Sequence, residues 1–119
     1  MTTQTFSELL DWQWSHYPEN HRNRTNLLIH IVAVPLFWVG AINFVFPLVF
    51  LGLIHALGGA VLMALSLFAQ GKGHEMEQNP PLPFASVRDY VRRVLAEQFV
   101  TFPRYVLSGG WWRAYHAAA

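Results

Sequence analysis

From Thr25 to Gly71 the chain reads TNLLIHIVAVPLFWVGAINFVFPLVFLGLIHALGGAVLMALSLFAQG, 47 residues without one Asp, Glu, Lys or Arg. A membrane-crossing helix needs about 20 mainly apolar residues, so this stretch is long enough for two. Asn43, Phe46 and Pro47 mark a turn, which predicts one helix over 26–45 and a second over 48–70. Pro35 lies inside the first and predicts a kink. Gly52, Gly58 and Gly59, with Ala56, Ala60 and Ala64, offer the small side chains that let two helices approach closely in lipid. A buried hairpin in a soluble bundle would show a similar pattern. Composition favours the membrane, because charged residues make up 13% of the chain where soluble domains average about 25%.

The charges sit on the flanks. Arg22, Arg24 and Lys72 stand beside the two ends of the stretch, and the turn has none. The bias of Lys and Arg towards the cytoplasm predicts a multi-pass membrane protein with both hairpin ends on that side. If the chain is bacterial, that places it in the inner membrane. Upstream, 3–17 reads as an amphipathic helix with Phe6, Leu9, Leu10, Trp12, Trp14 and Tyr17 on its apolar face, Thr3 or Thr5 as cap and Pro18 as its end. Trp12 and Trp14 suit either packing or the headgroup level. The connector ENHRNRTN offers Asn23 or Thr25 as the next cap.

Downstream, Asn79-Pro80-Pro81 and Pro83 read as a loop. Ser86 then opens a helix over 86–107 with Val87, Val91, Val94, Leu95, Phe99 and Phe102 on one face. Its charges make it too polar to span, so it reads as interfacial or as packed on the hairpin. Pro103 and Gly109-Gly110 break it, and 111–116 (WWRAYH) is an aromatic end. The sequence thus predicts one all-α membrane domain over 1–119, a helical hairpin flanked by amphipathic or interfacial helices, with the lipid bilayer as partner.

Bulk properties exclude several classes. A length of 119 residues suggests a single domain. A net charge of +1 argues against nucleic acid as a partner. The absence of cysteine removes disulfides, thiolate metal sites and cysteine nucleophiles. The opening MTTQTFSELLDWQW has neither the basic start nor the apolar run of a secretory signal.

Placement of the histidines points to chemistry. His21 and His30 flank the start of the first long helix, and His74 follows the end of the second. An antiparallel hairpin brings His30 and His74 together although 44 residues separate them, and His21 reaches the same place from the connector. Imidazoles with a carboxylate and open positions suit non-haem Fe(II), and also zinc or copper. Asn26, Gln70, Glu75 or Glu77 would serve as acceptors for the second ring nitrogens. The spacing matches no compact metal motif, and interfacial histidines that merely solvate the hairpin ends fit it too. His55 lies about 28 Å along the second helix from His74 at 1.5 Å per residue. It is expected to be a buried histidine bonded to a neighbouring helix, with Asn43 as the candidate partner, and stays a watched position because polar groups in a bilayer are often functional. Glu75 and Glu77 are either functional acids or solvated loop residues.

HRNRTNLLIHIVAVPL (His21 to Leu36) and QGKGHEMEQNPPLPF (Gln70 to Phe84) resemble the paired signatures of a family of small membrane 2-hydroxy fatty acid dioxygenases, first recognised in fungi. The tail EQFVTFPRYVLSGGWWRAY resembles the family's bacterial branch. This resemblance implies an Fe(II)-dependent membrane enzyme of fatty acid α-oxidation, which cleaves a 2-hydroxy fatty acid with O2 to an acid one carbon shorter. Carried onto this chain, it implies His21, His30 and His74 as iron ligands. It also implies Glu77 as the functional acid with Asn26 beside it, and Glu75 as a second acid near the same position. A 2-hydroxy carboxylate can chelate iron and O2 needs a third position, so three protein ligands would be the right number. Arg22 or Arg24 would clamp the substrate carboxylate. The competing expectations are a non-enzymatic membrane protein and a zinc-dependent lipid enzyme.

Overall fold

Helix α1 (Phe6–Asn20) begins with a capping box, in which Thr5 Oγ1 accepts the Glu8 N–H and the Glu8 carboxylate accepts the Thr5 N–H. The computed structural model describes residues 4–118, so Thr3 lies outside the described residues. Pro18 does not end α1 as expected. Proline forfeits only one backbone bond in a last turn, and the helix runs on to Asn20. Its buried stripe is Leu9, Gln13 and Tyr17, while Trp12 and Trp14 are half-buried beneath the guanidinium groups of Arg93 and Arg104.

Two long helices follow, α2 (Arg24–Phe50) and α3 (Leu53–Glu75). Asn23 caps α2 by accepting the Asn26 N–H at 3.0 Å. The helix passes through both Pro35 and Pro47, so the expected turn at 43–47 is displaced to Leu51–Gly52. Pro47 removes one backbone donor, and the helix still continues to Phe50. Gly52 makes the reversal with φ +100°, a conformation that favours glycine. It shapes the turn and is not part of the helix seam, and Gly58 likewise faces open space.

The seam itself is made by other small residues. Gly40 meets Gly59, Ala33 accepts the Ser66 hydroxyl, and Gly73 lies against Asn26. Positions 26, 33 and 40 on α2 and 59, 66 and 73 on α3 recur every seven residues, the spacing that keeps one seam facing its partner. A Cβ on Gly59 would strike the backbone of Asn43 and Phe44. Both helices are long and apolar enough to cross a membrane, and only 28% and 22% of their most apolar windows are buried. Val32, Phe46, Ile54 and Phe68 are among the large apolar side chains that face outward.

The rest of the chain gathers at the hairpin's open end. Helix α4 (Val87–Ala96) passes without a break into a π-helical turn (Glu97–Thr101) and α5 (Phe102–Leu107), so Pro103 does not break it. Among the described residues there is no strand, and the fold is all-α. α4 is inverted for a protein in water: Arg93 and Ala96 are buried, whereas Val87, Val91 and Leu95 are exposed. Helix α6 (Gly110–Ala117) is pinned to α2, because the Trp111 indole donates to the Leu27 carbonyl at 2.9 Å. Trp111 is therefore a core residue, with Trp112 outward.

Candidate metal centre

His21, His30, His74 and Glu97 converge, with one ligand atom from each lying within 4.8 Å of all the others. This group can hold a metal ion. His21 ends α1, His30 lies in the second turn of α2, His74 is in the last turn of α3, and Glu97 opens the π turn. The three imidazole centroids are 4.7 to 5.2 Å apart, with planes inclined at 68 to 89°.

Local chemistry sets which nitrogen faces the centre. His21 Nδ1 donates to the Tyr17 carbonyl at 2.9 Å, and His30 Nδ1 donates to the Asn26 carbonyl at 3.0 Å. Each acceptor lies four residues earlier, within reach along a helix. Protonation at Nδ1 leaves a lone pair on Nε2, the arrangement that metal-bound histidines use. His21 Nε2, His30 Nε2 and His74 Nδ1 are buried and find no hydrogen-bond partner among the described residues. Orphaned nitrogens are costly in a packed interior. Three aimed at one point beside a carboxylate fit an N₃O metal site. The second-sphere acceptors are thus backbone carbonyls, not the side chains of Asn26, Gln70, Glu75 or Glu77.

The carboxylate in the cluster is Glu97, one of the charges that make the 86–107 helix too polar to span. Its Oε2 stands 3.5 Å from His21 Nε2 and 3.4 Å from His30 Nε2, and accepts the Tyr17 hydroxyl at 2.7 Å. Burial pushes its carboxyl pKa up, but hydrogen bonds and charge from the facing His21 and His30 imidazoles, in the form that carries an Nε2 proton, outweigh this and hold it well below the usual range. Burial lowers the His21 pKa, against the opposing pull of Glu97. Burial, and then the Glu97 charge, push the Tyr17 phenol well up, which keeps it a donor.

The π turn aims Glu97. The Phe102 N–H bonds back to the Glu97 carbonyl, five residues earlier. The Gln98 carbonyl would then need the N–H of residue 103, which is proline and has none. Trp38 supplies the missing donor from α2, its indole N–H lying 2.7 Å from that carbonyl. Gln98 and Gln70 exchange side-chain hydrogen bonds of 2.9 and 2.7 Å, tying the turn to α3. Thr101 donates to Gln13 at 2.6 Å, tying it to α1. The one sequence signal for Glu97 is that no other acid follows Asp89.

The remaining predicted residues lie elsewhere. Glu77 accepts the Arg22 N–H at 2.9 Å, the Asn23 N–H at 3.0 Å and the Asn26 amide at 2.7 Å. It caps the start of α2 and is not in the His cluster. Asn26 faces Glu77, and only its backbone carbonyl serves His30. Glu75 is exposed and pairs with Lys72. Arg24 reaches the Tyr115 and Ala118 carbonyls at the end of α6, and the Arg22 side chain is exposed. His55 is exposed in the first turn of α3 rather than buried, and the Asn43 amide bonds the Val39 carbonyl instead. The displaced turn explains both, because it puts His55 at the hairpin tip.

A cavity of about 290 Å³ adjoins the cluster, lined by His21, His74 and Glu97 together with Trp12, Leu82 and Phe84. That is near the lower end of small-ligand sites, about 300–1,000 Å³. The cation on its wall is Arg93, neither Arg22 nor Arg24. Arg93 lies between the Trp12 and Phe84 rings and holds the Leu82 and Pro83 carbonyls at 2.6 and 3.3 Å, so it straps the proline-rich loop over the cavity. Comparison with protein-family models, curated proteins and solved structures returned no match, so the reading of this site rests on its geometry.

Proposed function

We propose that this chain is a membrane-embedded, Fe(II)-dependent dioxygenase that shortens 2-hydroxy fatty acids by one carbon. The convergence of three imidazole nitrogens and a partly buried carboxylate carries the metal site, and the resemblance of His21 to Leu36 and Gln70 to Phe84 to the dioxygenase signatures implies the substrate and the reaction. His21, His30, His74 and Glu97 would hold the iron. When bound, iron would bring O2 and the substrate's oxygens to one place. Those four residues supply four donors, one more than the three histidines that the resemblance implies.

The chain's own residues account for the rest of the site. The cavity offers apolar contacts from Trp12, Leu82 and Phe84 to the start of an acyl chain. Arg93 shapes that wall, its charge already paired with Asp89 at 3.4 Å. The reaction balances when a 2-hydroxy acid and one O2 give the shortened acid, CO2 and water.

The outward-facing apolar surface of α2 and α3 supports a bilayer-spanning hairpin, with both ends and the site on the cytoplasmic side. The inverted α4 then lies at the membrane surface with Val87, Val91 and Leu95 in lipid.

Metal analysis of the purified chain, combined with O2 uptake on 2-hydroxypalmitate, tests this. One iron per chain and one O2 consumed per shortened acid are expected, with metal lost in His30→Ala and His74→Ala. Full iron occupancy in both variants would rule out the site. Bound zinc without O2 uptake would favour a hydrolytic lipid enzyme.

A further inference from the structure

Tyr17 touches two of the four metal-site residues in three ways. Its hydroxyl donates to Glu97 Oε2 at 2.7 Å. Its ring stacks on the His21 imidazole, with centroids 3.8 Å apart and planes at 15°. Its carbonyl accepts the proton of His21 Nδ1 at 2.9 Å. Tyr17 is itself buried and packed edge-on against Tyr105 at 4.9 Å, so its ring has little freedom.

Resting on the metal-site reading above, we propose that Tyr17 is a positioning residue that fixes the Glu97 carboxylate and tunes its donor strength toward the metal. The hydroxyl bonds the oxygen that also faces His21 and His30 Nε2. A donor on that oxygen draws electron density from it and restrains the carboxylate from rotating to present both oxygens. Packing alone does not call for this hydroxyl. Phenylalanine would fill the same space and stack on His21 equally well, and the buried hydroxyl has one partner, Glu97.

Tyr17→Phe isolates the effect, because it keeps the ring and the backbone carbonyl and removes one oxygen. Co(II) is the probe, added to detergent-purified wild type and variant. Both are expected to bind one Co(II) per chain. The variant's visible absorption bands should shift, and its affinity should weaken about 10- to 100-fold, the usual effect of removing an outer-shell partner. Identical spectra and affinities, with one Co(II) bound to each, would overturn the role of Tyr17 and leave the metal site standing. A wild type that binds no Co(II) would overturn the metal site itself. Should the variant lose its helical circular dichroism, the wild type carrying fluorinated tyrosine decides. The Tyr17 resonance should move when Zn(II) is added, and a fixed resonance would overturn the proposal.

Discussion

The Glu77 carboxylate accepts the Asn26 side-chain amide at 2.7 Å, which fastens the end of α3 to the start of α2. This contact sets the spacing of His30 and His74, each within four residues of one of the two partners. Glu77 and Glu97 therefore have separable roles. Glu77→Ala should cost about 1–3 kcal/mol of stability, since it strands buried donors, while a folded fraction still binds one metal per chain. Glu97→Ala should lower metal affinity at least about tenfold, and Tyr17 loses its acceptor. Thermal unfolding paired with metal titration reads both, and the opposite assignment of the two effects would refute this division.

The π turn rests on a bond between Trp38 and a carbonyl that Pro103 leaves without a donor. Trp38→Phe should destabilise the chain by about 1–3 kcal/mol, because a buried carbonyl then goes unpaired. Pro103→Ala restores a backbone N–H that can reach the Gln98 carbonyl. The double variant should thus be more stable than the sum of the single effects, with a coupling of about 0.5 kcal/mol or more. Strict additivity in a double-mutant cycle would show that the indole bond does not compensate for the proline.

Gly58 and Gly59 are adjacent in sequence and opposite in consequence. A Cβ on Gly58 meets nothing, whereas one on Gly59 strikes α2. Gly59→Ala should destabilise the hairpin by about 1–3 kcal/mol through overpacking. Gly58→Ala should be neutral or slightly stabilising, given the better helix propensity of alanine. Equal unfolding midpoints for the two variants would contradict the helix seam.

Acid should loosen the metal-free chain. Burial lowers the His21 pKa in the folded state, and the unfolded chain takes up that proton near pH ~6.5. Below that value the unfolded state binds more protons. The stability contributed by neutral His21 is thus present above pH ~6.5 and is lost as pH falls towards the folded pKa. Glu97, whose pKa is also depressed, acts in the same direction at lower pH, its contribution fading below about 4.3. Thermal midpoints in detergent should fall between about pH 7.5 and 5.5, and a flat profile would argue against a neutral buried His21.

Much of the fold is legible in residue order because it follows local rules. The uncharged stretch declares two long helices by length and hydropathy alone. Asn23, Ser86 and Thr5 announce helix starts through their own side chains. His30 and His74 are predictable neighbours because a hairpin must return along itself. The errors fall where one residue's effect depends on surroundings. Pro18 falls in a last turn where one lost bond is tolerated, and the Trp38 indole replaces the donor that Pro103 lacks, so both lie within helices, as Pro47 does.

The sequence by itself determined an all-helical chain, an apolar hairpin and the clustering of three histidines at its open end. Only the tertiary structure decided which acid joins them. Glu77 is near His74 in sequence, yet it is consumed by the orphan amides at the start of α2. Glu97 is 23 residues beyond His74, and it reaches the histidines because a π turn pinned by Trp38, Gln70 and Gln13 aims it there. The physical reason is that hydropathy and caps act over a few residues, whereas this partly buried carboxylate is placed by partners drawn from three different helices.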